Sequence, residues 1–292
     1  MKNFIKYYYG IDIDEYKNID NNIYFNNYEF IKFNGEINDL MSVYYTLITY
    51  NIYCHEIIIN KDNSPITIYN GDKYILIKRN ISNEDYININ NIYNYDVYIR
   101  SNQVLNWKQL WENKIDYYEY QMSELGLKYK TLKESFSYYS GLCECAIGLL
   151  NYVNYKNIRI NIAHKRINYN ETFNNFTNPI NITIDNITRD LAEYIKINAI
   201  YGNLDIDKTL KELKRIKLTS DEYILFMARL IYPSYYFDMY DNIIQGLSKE
   251  EDIDIIIKKS NSFESLLKKL YILVKQNTNL PTIEWLHNSN NF

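Results

Sequence analysis

The densest set of chemically useful side chains lies between residues 162 and 190, in IAHKRINYNETFNNFTNPINITIDNITRD. His164 falls in a polar loop that follows a long helical pattern. A short β-prone piece then ends in Asp185, and Arg189-Asp190 stand at the start of another helical pattern. Phosphoryl transfer suits such a layout. It asks little covalent chemistry of a protein, only a carboxylate to orient the attacking hydroxyl and oxygen ligands to hold magnesium against the phosphates. Each residue also has a structural reading. His164 can be a packing histidine bonded to backbone. Asp185 can brace the loop by bonding Arg166 or backbone amides, and Asp190 can favour the dipole at a helix start.

Other chemistry has less support. Cys143-Glu144-Cys145 has no second Cys or His pair at usable spacing and lies in a helical stripe, so it reads as core packing. Ser140 and Ser220 have no neighbouring His or other base, which removes the case for a nucleophilic hydrolase. The three cysteines form an odd, sparse set, better suited to a reducing cytosol than to a disulfide framework.

The elements that must position the loop follow from pattern. Residues 22–33 (NIYFNNYEFIKF) contain two β-prone runs split by Asn26-Asn27, a hairpin signal. Residues 37–50 read as a helix with Leu40, Tyr44, Leu47 and Ile48 on one face. Strands are expected at 55–60, 66–69 and 74–78, with turns at Asp62-Asn63-Ser64-Pro65 and Asn70-Gly71-Asp72. Residues 79–91 read as a connector. From Asn102 onward helical periodicity dominates, with Asn106 capping a helix through Trp107, Leu110, Trp111, Lys114 and Ile115. A broad apolar stripe runs through 132–152, β-prone pieces occupy 158–162 and 180–184, and Thr188 is placed as the cap of the next helix. Thr219-Ser220-Asp221-Glu222 has the form of a capping box, opening a helix that ends near Pro233, and a last helix spans 262–276. Strands around one helix, then a connector, then helices: that order predicts an α+β part followed by a helical part.

Composition narrows the function classes. The 292 residues suit two parts better than one core, and 47% hydrophobic with 23% charged residues is a globular composition. A net charge of −4 argues against nucleic-acid binding, which normally shows a basic patch. No apolar run approaches the length of a membrane span, and the N-terminus lacks the apolar core of a signal peptide. The 33 tyrosines fit AT-rich codon usage, with a surface selected for stacking or cross-linking as the alternative.

Several dispersed stretches carry a family resemblance. They are 106–112 (NWKQLWE), 136–147 (FSYYSGLCECAI), His164-Lys165-Arg166, 188–194 (TRDLAEY), 228–237 (ARLIYPSYYF) and 280–286 (LPTIEWL). In order and in residues they resemble the spore-coat-associated, kinase-like proteins of endospore-forming Firmicutes, the YutH and CotS group of the aminoglycoside phosphotransferase and choline kinase superfamily. The resemblance implies a protein-kinase-like, two-lobed α+β fold, with a small strand-rich N-lobe (1–80), a linker (81–100) and a mainly helical C-lobe (101–292). Laid on the superfamily's H-G-D-x-x-x-x-N loop, His falls on His164, Gly on Lys165, the catalytic-base Asp on Arg166 and the magnesium-binding Asn on Glu171. The later metal-binding Asp falls on Asp185, the structural Arg-Asp pair on Arg189 and Asp190, and the nucleotide-contacting Lys on Lys32. A guanidinium has no acceptor and stays protonated, so Arg166 cannot replace the base.

The expectation is therefore a pseudokinase: a binding or scaffold module in spore coat assembly, made in the cytosol of the mother cell or deposited on the coat. Its partners would be coat or morphogenetic proteins, with no cofactor required. The alternatives are an active Mg-ATP-dependent phosphotransferase using Glu171 and Asp185 for metal, and a purely structural coat component.

Overall fold

The computed structural model describes residues 1–19, 21–80, 85–94, 97–99, 106–126, 128–280 and 282–287. Helix α1 (Lys2–Tyr9) opens the chain and stops at Gly10, whose φ of 68° lets its N–H bond the Lys6 carbonyl. Strands β1 (Lys17–Ile19), β2 (Asn22–Phe25) and β3 (Tyr28–Lys32) follow, then helix α2 (Ile37–Thr49) and strands β4 (Glu56–Ile58), β5 (Thr67–Tyr69) and β6 (Asp72–Lys78). Helices α3 (Ile89–Asn94), α4 (Trp107–Leu125) and α5 (Lys130–Leu150) lead to strand β7 (Asn161–His164). Short helix α6 (Phe173–Phe176) and strand β8 (Ile182–Asp185) precede α7 (Thr188–Tyr201), α8 (Ile206–Leu213), α9 (Ser220–Ile231), α10 (Ser234–Ile244), α11 (Asp254–Lys275) and α12 (Glu284–His287).

The chain divides into two compact units: Met1–Ile87 with Asn170–Ile184, and Asn88–Tyr169 with Asp185–Phe292. Residues 170–184, grouped by sequence with the helical part, therefore pack with the strands. Ile180 joins the cluster of Phe33, Leu40, Ile57, Ile75 and Ile77, and His55 bonds the Asn174 carbonyl at 2.8 Å. Of the expected linker at 81–100, residues 81–84, 95–96 and 100 lie outside the described residues, as do 101–105 and Pro281.

In the first unit an antiparallel sheet runs β1-β2-β3-β6-β4, with β5 also paired to β6. Tyr74-Ile75-Leu76-Ile77 is buried throughout, because alternate side chains serve two clusters. Tyr74 and Leu76 pack with Ile5, Ile23, Phe25 and Phe30; Ile75 and Ile77 pack with Leu40 of α2. The hairpin turns where expected, with Asn26 at φ 49°, and Asn70-Gly71 has both φ values positive, the geometry of a two-residue hairpin loop. Helix α1 and strand β1 were not anticipated. Ile48, placed on the buried face of α2, is exposed.

In the second unit α9 packs against both α5 and α7, and α11 packs on α7 and α9. Tyr235, Tyr236 and Phe237 of α10 are all buried, and Tyr236 stacks on Tyr139 of α5 at 3.8 Å. Asn106 caps α4 by accepting from the Gln109 N–H, as its position predicts, although Leu110 of that helix points outward. Thr188 is not a cap: it is the first residue of α7, and its N–H donates to the Asn186 side chain instead. The last long helix begins at Asp254 and not near 262, and just before it Glu250 accepts the N–H groups of Thr131 and Leu132 at the start of α5. The strand placed at 158–162 forms at Asn161–His164. No helix among the described residues is long and apolar enough to cross a membrane.

Two substitutions check this packing by urea denaturation. Thr219→Ala removes the cap of α9 and should lower stability by about 1 kcal/mol. Leu76→Ala, in the strand buried on both faces, should cost about 2–5 kcal/mol; an unchanged midpoint would contradict that burial.

Candidate functional site

Asp185 ends β8 and is buried with four donors around it. Its Oδ2 accepts from Arg189 Nη1 at 2.9 Å and Trp107 Nε1 at 3.2 Å; its Oδ1 accepts from Arg229 Nη2 at 2.7 Å and the Asn186 N–H at 2.6 Å. Three helices supply three of these partners, and the Asn186 N–H comes from the segment between β8 and α7. Trp107 is the first residue of α4, Arg189 lies in the first turn of α7, and Arg229 lies in the last turn of α9. The Arg229 guanidinium also lies 4.5 Å from the Trp107 ring centroid, a cation–π contact. Asp185 is thus a brace, but its cationic partners are Arg189 and Arg229, not Arg166.

Next to it, Asn186 extends the network. Its side-chain N–H groups donate to the Arg159 carbonyl at 2.8 Å and to Glu222 Oε1 at 2.9 Å. Glu222 is fully buried and takes the Arg159 guanidinium through both oxygens, while its Oε2 accepts the Thr219 N–H of the capping box. Burial would push the Glu222 carboxyl up; the Arg159 and Thr219 hydrogen bonds outweigh it and hold the pKa below its ordinary value.

His164 is buried at the end of β7. Asp190 accepts its backbone N–H at 2.8 Å and contacts Nδ1 at 2.6 Å, so the partner of this histidine is a carboxylate and not only backbone. Arg166 turns elsewhere, donating to Asp238 of α10 at 2.8 Å with both side chains about half exposed. Lys196, buried in α7, donates to Glu193, the Tyr232 carbonyl and Ser234. Burial lowers the Lys196 pKa against the pull of Glu193. Burial would raise Glu193 in turn, but the charges of Lys196 and Arg166 outweigh it and bring its pKa down to about 2.

The remaining two predicted residues belong to the first unit. Lys32 pairs with Asp72 across neighbouring strands at 2.7 Å, and that hydrogen bond raises its pKa. Glu171 is buried and accepts from the Asn175 side chain. So the structure joins His164 to Asp190 and Asp185 to Arg189, and sets Arg166 on a separate partner. Sequence reasoning passed over Trp107, Arg159, Asn186, Glu193, Lys196, Glu222, Arg229 and Asp238 as site residues. Trp107, Glu193 and Arg229 did lie inside stretches that carried the family resemblance, which was the available signal.

A magnesium ion fits these residues poorly. The oxygens of Asp185 are committed to two guanidinium groups, an indole N–H and a backbone N–H, and a divalent cation would face both positive charges. Among the described residues no three His, Cys, Asp or Glu side chains gather as a metal-binding group.

A strand-rich unit followed by a helical one, with a buried His–Asp pair beside a carboxylate at a strand end, defines a kinase-like fold of the aminoglycoside phosphotransferase type. Solved structures agree on the fold. An aminoglycoside phosphotransferase from Alicyclobacillus acidocaldarius subsp. acidocaldarius DSM 446 aligns with a TM-score of 0.65 at 11% identity, over 90% of this chain and 93% of that one. An AMP-bound spectinomycin phosphotransferase aligns with a TM-score of 0.52 at 14% identity, over 92% and 96%. The same type of enzyme with ADP and spectinomycin aligns at 0.51 and 11%, over 94% and 97%. No curated protein matches the chain. The sequence pattern of the spore coat putative kinase YutH family matches residues 3–270, and the chain belongs to that family.

Two tests address the network. Asp185→Ala leaves two guanidinium groups without their counter-charge and should cost about 3–5 kcal/mol in chemical denaturation; near-wild-type stability would show that the carboxylate is not the anchor. The second is a pH profile. The Glu193 pKa is depressed in the folded state from 4.5 to about 2, so its contribution is fully present above about pH 4.5 and is lost as pH falls through about 2. Glu193→Gln should flatten the acid limb of the stability curve across that window.

Proposed function

We propose that this protein is a pseudokinase: a kinase-fold binding or scaffold module of spore coat assembly, with coat or morphogenetic proteins as partners and the mother-cell cytosol or the coat as its location. The observation that carries the reading is Arg166. It stands two residues after His164, where the superfamily pattern has its catalytic carboxylate, and its guanidinium donates to Asp238. Such a group can neither accept a proton nor orient a hydroxyl by accepting from it. The crowding of Asp185 by Arg189 and Arg229 supports the same conclusion, because the residue aligned with the metal ligand already has its charge compensated. Lys32, aligned with the nucleotide-contacting lysine, holds Asp72.

One observation favours the alternative, an active Mg-ATP-dependent phosphotransferase. The neighbouring spectinomycin phosphotransferases were solved with AMP or ADP bound. Calorimetry with magnesium and ATP, followed by an ATP-turnover assay on the same sample, separates the two. No magnesium-dependent heat and no turnover is the result expected of the pseudokinase. Magnesium-dependent binding with turnover would establish the phosphotransferase.

A further inference from the structure

Inside the second unit, a pocket of about 90 Å³ is lined by α4, α7, α9 and α10 together with Arg166. Its charge is unbalanced. Lys114, Arg166, Arg189, Lys196 and Arg229 line it against two carboxylates, Glu193 and Asp238, with Asp185 adjoining through its bonds to Arg189 and Arg229. We propose that this pocket binds a small organic anion, a carboxylate or phosphate group carried on a flat apolar body.

Three observations support this. First, a cation remains for a ligand: Lys114 lines the pocket, is exposed, and makes no hydrogen bond or ion pair among the described residues. An oxyanion would meet it in a charge-assisted contact. Second, burial lowers the pKa of both Arg229 and Lys196, against the attraction of Asp185 and Glu193 respectively. An incoming negative charge would relieve that penalty. Third, the other wall is aromatic. Trp111 stacks on Tyr232 at 4.3 Å and Tyr118 on Phe237 at 4.3 Å, presenting apolar surface beside the cations. The Arg166–Asp238 pair is half exposed and correspondingly weak, so Arg166 can exchange Asp238 for a ligand oxyanion.

The inference deepens the pseudokinase reading: it rests on Arg166 acting as a binding cation and not as a damaged catalytic position. Its test uses no nucleotide and no magnesium, so it fails or succeeds apart from the ATP experiment. The full chain is titrated by calorimetry at low salt with inorganic phosphate, phenyl phosphate and benzoate. The proposal expects phenyl phosphate or benzoate to bind more tightly than inorganic phosphate, and which of the two wins identifies the head group. Arg166→Gln should weaken binding by about tenfold, the scale of one lost charge-assisted contact. Asp238→Asn, which removes the competitor for Arg166, should tighten it by about tenfold. That gain is unexpected for a residue of purely structural role, and it keeps the test decisive if Arg166→Gln folds poorly. Failure of all three probes to bind the folded protein overturns the proposal, as does an affinity that neither variant changes.

Discussion

The second unit is organised around one carboxylate held by two guanidinium groups. Asp185 leaves a short strand and is met by side chains from the starts of α4 and α7 and the end of α9. A charge in that buried position is tolerable only with full compensation, and compensation fixes geometry: each arginine must arrive from its own helix at hydrogen-bonding distance. Asn186 then ties the same corner to Glu222 and Arg159, so that α9 is anchored near both ends, by Glu222 at its start and Arg229 at its finish. The crossing of α9 with α5 and α7 and the walls of the adjoining pocket depend on this arrangement.

That anchoring sets the distribution of charge in the kinase-like fold. The framework of the site is intact: His164 and Asp190 are paired and buried, and the strand-end carboxylate is in place. Positive charge is gathered around it: Arg189 and Arg229 hold Asp185, and both line the neighbouring pocket together with Arg166.

Membership of the spore coat putative kinase YutH family and the fold of aminoglycoside phosphotransferases fit together in this picture. A kinase fold supplies a pocketed helical unit whatever its catalytic state, and function resides in the side chains placed on it.

By itself the sequence determined the local elements and their order. β-prone runs bounded by turn residues marked β2, β3 and β6; Asn106 and the Thr219–Glu222 box marked two helix starts; dispersed motifs marked the superfamily. These features depend on contacts between near neighbours, or on residue types that few alternatives satisfy. Tertiary structure alone decided which charge meets which. Arg229 lies 44 residues from Asp185, and Arg166 lies 72 from Asp238. No spacing rule links residues so far apart, because an ion pair records where whole helices pack and not how the chain runs between them. For the same reason Asp185 was read as bonding Arg166 or backbone amides, of which only the Asn186 N–H is a partner, and the cationic pocket became visible only once four helices were in position.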